Sequence, residues 1–302
     1  VIRVIFFGMT GQFSIAPLEK LLTNGIDVGA VVVPAISSQA GAGPCRIEPV
    51  SSGGSDVPIV NPHLEENILH LAWKHDIPVW EVASLSNSAT LDMLAGLQPD
   101  LITVACFPYI FPLKVLQLPR YGCVNLHPSL LPAYRGPEPL FWIARNDEAE
   151  TGVTLHFLGE SLDTGDIIAQ TRFERPDGIS GAELEQRCAK AGAELLLTAV
   201  RQLEKGPLSR RPQPERGASY FPLPSGPDFL IPTDWPARRA FNFLRGAEGW
   251  PLVIGFGDTR YRIRVAISYA AEQTLEQPYI VLGNELWLQF QPGVLRVRVW
   301  GG

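Results

Sequence analysis

Val1-Ile2-Arg3-Val4-Ile5-Phe6-Phe7 is apolar at every position but one, and this run constrains the fold more than any other. A strand covered on both faces reads as a nearly continuous apolar stretch, whereas a half-exposed strand alternates. A turn at Gly8-Met9-Thr10-Gly11 follows. Ile15, Leu18 and Leu22 then recur at helical spacing, and Gly25 is placed to end that helix. Val28–Val33 reads as the next strand. Strand, helix and strand in this order demand a crossover connection and therefore a parallel pair.

The pattern continues through the first two hundred residues. Leu101–Ala105 and Gly122–Leu126 are further apolar strands, and Gly152–Phe157 alternates with Val153, Leu155 and Phe157 on one face. The spacing predicts a helix after Asn61-Pro62, with Leu64, Ile68, Leu71 and Ala72 buried. It predicts a long one over Gly181–Leu203, with Leu184, Cys188, Ala191, Leu195 and Ala199 on one side. This is an α/β chain with a Rossmann-like, doubly wound, mostly parallel sheet. Residues 34–60 show no period, and a loop of that length is usually functional. Lys205–Asp228 carries six prolines and six glycines or serines and reads as an interdomain linker. Beyond it come a helix at Pro236–Arg245 and short strands at Tyr261–Ser268, Tyr279–Leu282, Leu286–Phe290 and Val294–Trp300. The expected division is a catalytic domain over 1–204, a linker over 205–228 and a small β-barrel over 229–302.

Composition excludes several classes. A net charge of −6 argues against a generally basic nucleic-acid binder. Cys45, Cys106, Cys123 and Cys188 have no metal-like spacing, which fits a reducing, cytoplasmic compartment. The opening eight residues lack the length of a secretory leader. No stretch approaches the ~18 consecutive apolar residues of a membrane span. His63, His70 and His75 lack the i,i+4 spacing of helical metal ligands, so no metal is expected. Gly8-Met9-Thr10-Gly11 lacks the third glycine of a dinucleotide fingerprint.

The densest unusual stretch is Asn125-Leu126-His127-Pro128-Ser129-Leu130-Leu131-Pro132-Ala133-Tyr134-Arg135-Gly136, followed by Leu162-Asp163-Thr164-Gly165-Asp166. Asn125 and His127 end a parallel strand, where ligand crevices of open α/β sheets lie. Two apart in extended chain, they point the same way. An amide can donate to a developing oxyanion, an imidazole can move protons, and a nearby carboxylate can hold the imidazole. Asp163 is a candidate for that carboxylate. Loop residues of these types also often only complete turn hydrogen bonds, and spacing alone does not separate the two readings.

The same residues resemble the signature of the folate-dependent formyltransferases, closest to the methionyl-tRNA formyltransferases. Asn125, His127, Ser129-Leu130-Leu131-Pro132, Gly136, Asp163, Gly165 and Asp166 match it. Phe7-Gly8 through Pro17-Leu18 resembles the family's first strand and helix, and Trp250-Pro251 the start of its carboxyl-terminal barrel. The resemblance implies the formyltransferase fold with an OB-like barrel. It implies 10-formyltetrahydrofolate as donor and an amine as acceptor. Asn125, His127 and Asp163 would be catalytic. Phe107, Pro108, Tyr109, Ile110 and Phe111 would line the pterin pocket, bordered by Ser129, Leu130, Leu131 and Pro132.

The acceptor is less constrained. Initiator tRNA is one acceptor the resemblance implies. Yet residues 1–228 hold 17 Lys+Arg against 25 Asp+Glu, and the loop over 34–60 has Arg46 as its one cation. This acidic balance argues against strong RNA binding, which needs several phosphate contacts. Arg210, Arg211 and Arg216, and Arg260, Arg262 and Arg264, are the two modest basic clusters. A nucleotide-linked amino sugar, or water as in the formyltetrahydrofolate hydrolases, are the alternatives. His156 resembles a histidine of glycinamide ribonucleotide formyltransferases, with either a supporting role or plain strand packing. Arg135 would meet an anionic group or form a surface ion pair.

Overall fold

The computed structural model describes residues 1–35, 43–49, 67–256 and 259–300. The chain divides into two compact units. The first holds the described residues of Val1–Arg135, Gly152–Thr171 and Gln186–Ser219; the second holds those of Gly136–Thr151, Arg172–Glu185 and Tyr220–Gly302. Two short segments that precede residue 204 thus belong with the C-terminal residues, an interleaving that a linear division does not carry.

The elements of the large sheet and its helices run in the order β1 (Arg3–Gly8), α1 (Gln12–Thr23), β2 (Asp27–Pro34), β3 (Cys45–Ile47), α2 (Ile68–Lys74), β4 (Val79–Val82), α3 (Ser88–Gly96), β5 (Leu101–Ala105), α4 (Leu113–Leu116), β6 (Cys123–His127), α5 (Pro139–Arg145), β7 (Glu150–Phe157), β8 (Ile167–Glu174) and α6 (Gly181–Leu203). The eight strands form one sheet in the order β3-β4-β2-β1-β5-β6-β7-β8. β4, β2, β1, β5 and β6 are parallel neighbours. β3 and β7 pair antiparallel with β4 and β6. The chain winds outward from β1 through β2 to β4, then returns to β5 on the other side of β1. In open α/β sheets a reversal of this kind is where ligands bind, at the carboxyl ends of the strands, here those of β1 and β5. Ser14 stitches this point together: its hydroxyl donates to Ala105 O at 2.6 Å and accepts from Met9 N at 3.0 Å.

The continuous apolar strands are buried on both faces, as expected. Ile5 and Phe7 join Ile102, Val104, Phe111 and Cys123 in one core cluster, and Val4 and Phe6 are equally buried. α6 has the expected bounds, but its buried stripe is turned from the expected one. Leu184, Cys188 and Ala199 are buried together with Ala189, Ala193, Leu196 and Val200, while Ala191 and Leu195 are half-exposed. The expected positions step by 4, 3, 4 and 4. From Cys188 onward the buried stripe instead advances four residues per turn, through Gly192, Leu196 and Val200, so the two separate by one residue at positions 191 and 195. Asn61, Pro62, His63, Leu64 and much of the 34–60 loop lie outside the described residues. The described part of α2 is capped by Asn67, whose side chain accepts from Leu69 N and His70 N.

In the second unit, β9 (Leu230–Ile231), α7 (Ala237–Gly246), β10 (Val253–Phe256), β11 (Thr259–Ala270), β12 (Tyr279–Leu282), β13 (Glu285–Gln289) and β14 (Val294–Val299) follow. Their sheet has the order β12-β13-β14-β11-β10-β9 and is antiparallel except for β9 against β10. This is the strand content of the expected small barrel. Phe243 of α7 is fully buried and meets Phe141 of α5 edge-on at 5.3 Å.

α1 ends as the sequence indicates. Gly25 has φ +72°, Gly25 N donates to Leu22 O at 3.1 Å, and Ile26 N donates to Leu21 O at 3.1 Å. These two bonds define a Schellman termination, which needs a left-handed residue. No side chain crowds position 25. Gly25→Ala therefore isolates backbone strain, and urea unfolding should show a loss of about 1 kcal/mol. An unchanged midpoint would contradict the assignment.

Candidate active site

Register builds the site. β6 faces β7 with Asn125 opposite His156 and His127 opposite Thr154. Directly opposed residues of an antiparallel pair share a face, so all four side chains project together. Val104 lies beside Asn125 on the parallel side. The four polar groups therefore extend the face that carries the apolar cluster of Phe7, Val104 and Phe111. Leu126 and Val153 point the other way, under Gly192 of α6, where any side chain would press on them.

Three of these groups and Asp163 meet in one polar cluster. His127 Nδ1 lies 3.7 Å from Asp163 Oδ2, and His156 Nε2 lies 3.7 Å from Asp163 Oδ1. Asn125 Nδ2 lies 3.2 Å from His156 Nε2. His127 Nε2 lies 2.7 Å from Tyr134 O. A carbonyl only accepts, so that nitrogen carries a proton and the lone pair of a neutral ring sits on Nδ1, facing Asp163. His127, His156 and Asp163 are all buried, while Asn125 is half-buried.

Asp163 reaches the cluster through an unusual backbone. Its φ is +54°, a left-handed conformation that aspartate tolerates better than most residues. At Gly165, two residues on, a Cβ would overlap the Phe157 carbonyl, so the loop passes β7 only as glycine. Gln213 locks the loop: its Nε2 donates to both Asp163 O and Gly165 O at 2.8 Å. The Gln213 Oε1 accepts from Arg135 Nε at 3.1 Å and Nη2 at 2.7 Å. Arg135 thus meets an amide through Nε and Nη2.

Gln213 lies in the segment expected to be a linker. Residues 211–219 are instead bonded onto the first unit. Ile167 and Arg211 exchange backbone bonds at 2.8 and 3.0 Å. Arg135 N donates to Ser219 O at 2.9 Å, Tyr134 N donates to Ser219 Oγ at 2.9 Å, and Ser219 N donates to Pro132 O at 3.2 Å. Arg210 stacks 3.6 Å from the Phe157 ring centre. No periodicity marks Gln213; its signal is confined to its flanks, since Pro212 and Pro214 fix an extended backbone.

The expected pterin wall divides in two. Phe111 is 5% exposed and packs edge-on against Phe7 at 5.2 Å, as core. Phe107 and Tyr109 are half-buried, Pro108 is exposed, and Ile110 is 71% exposed. The bordering loop divides likewise. Ser129 is buried and donates to Ala133 O at 2.7 Å, and Leu131 is buried with its N–H on Thr154 Oγ1 at 3.1 Å. Leu130 and Pro132 keep partial exposure. Among the described residues no group of three His, Cys, Asp or Glu is placed to hold a metal ion, and no helix is long and apolar enough to cross a membrane. Arg260, Arg262 and Arg264 are exposed along β11, alternating with half-buried Tyr261 and buried Ile263.

Comparison with known proteins adds a family to this geometry. Residues 2–200 match the family model described as formyl transferase. The chain is 36% identical over 250 residues to a methionyl-tRNA formyltransferase of Syntrophus aciditrophicus, covering 83% of this chain and 74% of that one. Among solved structures, an N-formyltransferase from Helicobacter canadensis, in complex with folinic acid and dTDP-3-aminofucose, superimposes with TM-score 0.69 at 18% identity, over 99% of this chain and 100% of that one. A methionyl-tRNA formyltransferase from Clostridium thermocellum gives TM-score 0.58 at 13% identity over the full length of both. At these identities the structural likenesses speak to fold alone.

Burial sets the charge state of His156. Desolvation is the largest influence and, helped by His127 and Arg135, outweighs Asp163 and the Phe157 carbonyl, lowering its pKa to about 4. The unfolded chain takes up a proton here near the ordinary value of about 6.5, and the folded chain only near 4. Stability from this group is thus complete above about pH 6.5 and lost as pH falls toward 4, at up to about 1.4 kcal/mol per pH unit. Urea unfolding between pH 7 and 4.5 should show a shallower pH slope in His156→Gln than in the wild type. Equal slopes would mean that the ring does not stay neutral.

Proposed function

We propose, since this chain belongs to the formyl transferase family, that it moves the formyl group of 10-formyltetrahydrofolate onto the amine of methionyl-tRNA, with Asn125, His127 and Asp163 as its catalytic residues. The observation that carries the reading is the meeting of an amide, an imidazole and a carboxylate at the carboxyl end of β6. The sequence identity to methionyl-tRNA formyltransferases supports the choice of acceptor. The folate supplies a formyl carbon already bonded to nitrogen, ready for attack by an amine.

The residues divide the work. Asn125 Nδ2 spends one hydrogen on His156 and keeps a second for the oxyanion that develops on the formyl oxygen. His127 takes the proton lost by the attacking amine on Nδ1, because Nε2–H is held by Tyr134 O. It returns that proton to the departing folate nitrogen, so the proton count balances. The Asp163 carboxylate, 3.7 Å from Nδ1, stabilises the imidazolium formed between these steps. Phe107, Tyr109 and Ile110 offer ring and aliphatic surface to a flat pterin, while Phe111, Ser129 and Leu131 support the wall from behind.

A second reading keeps the chemistry and changes the acceptor. The charge of residues 1–228, net −8, favours a small amine such as a nucleotide-linked amino sugar over a polyanion. The chemistry is tested by His127→Ala, which should lower kcat about 10²–10⁴-fold, and by Asn125→Ala, which should lower it about 10²–10³-fold. Wild-type turnover in both would remove the mechanism. Offered initiator methionyl-tRNA, an amino-sugar nucleotide and water in parallel, the enzyme should formylate the tRNA with an efficiency that falls as salt rises. Formylation of the sugar alone would establish the second reading, and rapid tetrahydrofolate release without any amine would establish hydrolysis.

A further inference from the structure

We propose that His156 is a positioning residue, which holds the Asn125 carboxamide by accepting a hydrogen bond at Nε2 and so keeps the second amide hydrogen of Asn125 aimed at the reacting formyl oxygen. This rests on the reading of Asn125 as the oxyanion donor.

The assignment follows from a chain of donors and acceptors. His156 Nδ1 lies 2.8 Å from the Phe157 carbonyl oxygen. That oxygen can only accept, so Nδ1 must carry the proton. In a neutral ring Nε2 is then an acceptor, and the Asn125 atom 3.2 Å from it must be the amide nitrogen. The orientation of the Asn125 amide, which is ambiguous for an isolated side chain, is thereby fixed by a backbone carbonyl two bonds away in the network.

The packing leaves the ring no alternative. His156 is fully buried, and its place on β7 directly opposite Asn125 is set by strand register. Burial keeps the ring neutral at physiological pH, as the tautomer argument requires. An imidazolium would donate from Nε2 and turn the amide oxygen inward, which would present a lone pair where a hydrogen is needed. The neighbouring Asp163 Oδ1, at 3.7 Å, is too distant for a direct hydrogen bond to compete for Nε2. His127 and His156 meet edge to face with centroids 6.3 Å apart, so the two imidazoles flank Asp163 in different roles. One exchanges protons and the other never should.

The test is a double-mutant cycle read as kcat and KM. His156→Leu removes the acceptor and should lower kcat on the order of 10²-fold, the scale of a misaligned catalytic group, with the donor KM changed by less than about threefold. His156→Gln places a carbonyl oxygen near the Nε2 position and should recover most of that loss. In the Asn125→Ala background His156→Leu should cost less than about threefold more, because its partner is already gone. Multiplicative losses would overturn the positioning role while leaving the oxyanion reading intact. Wild-type kcat in His156→Leu would overturn it as well. Wild-type kcat in Asn125→Ala would overturn both. A readout independent of any variant is the ring ¹⁵N spectrum of the wild-type enzyme at pH 7. A neutral Nδ1–H tautomer at His156 is expected, and an Nε2–H tautomer or an imidazolium would refute the proposal.

Discussion

The antiparallel pairing of β6 with β7 is the constraint on which the site depends. It opposes Asn125 to His156 and His127 to Thr154, so that two short strands deliver four polar side chains to one face. A slip of one residue would turn Asn125 and His127 toward α6 and bring Leu126 to the crevice. Apolar packing on the reverse face guards against that slip, with Leu126 and Val153 seated against Gly192. Thr154 adds a polar lock, donating to Ser129 O at 2.7 Å and accepting from Leu131 N at 3.1 Å and Gln170 Nε2 at 2.9 Å. Burying these groups is tolerable because each finds a partner.

The carboxylate reaches the cluster by other means. Asp163 sits on a loop, and loops need outside restraint to hold a side chain within tenths of an ångström. Here the restraint comes from residue 213, fifty positions later in the chain, which bonds two carbonyls of that loop and is itself gripped by Arg135. Segment 211–219 therefore acts as a strap over the loop. Its prolines suit that task, since an extended chain with few conformations loses little entropy on docking.

Much of the architecture was legible because it rests on local periodicity. The strand at 101–105, the strand expected at 122–126 and found one residue later, the helix over 181–203 and the glycine that ends α1 each follow from spacing and turn chemistry within a dozen residues. What escaped was what depends on distant partners. β8 alternates weakly, with intermediate residues along most of its length, and α5 is only seven residues long. Gln213 looks like any polar residue in a proline-rich stretch until Asp163 and Arg135 are beside it. Phe111 cannot be told from Phe107 by composition, yet one is buried and the other half-buried. Among the site residues, the spacing of Asn125 and His127 announced a shared face. The approach of Asp163 came only with the fold, and so did the bond from Asn125 to His156.

Convergence of the three groups on one carbon is tested most directly by a crystal structure with a stable formyl-bearing folate bound. Hydrogen-bond geometry predicts the formyl oxygen about 2.7–3.2 Å from Asn125 Nδ2, with the His156 bond to Asn125 retained. A formyl group held away from Asn125 and His127, or an Asn125 amide turned with its oxygen toward the ligand, would contradict the claim.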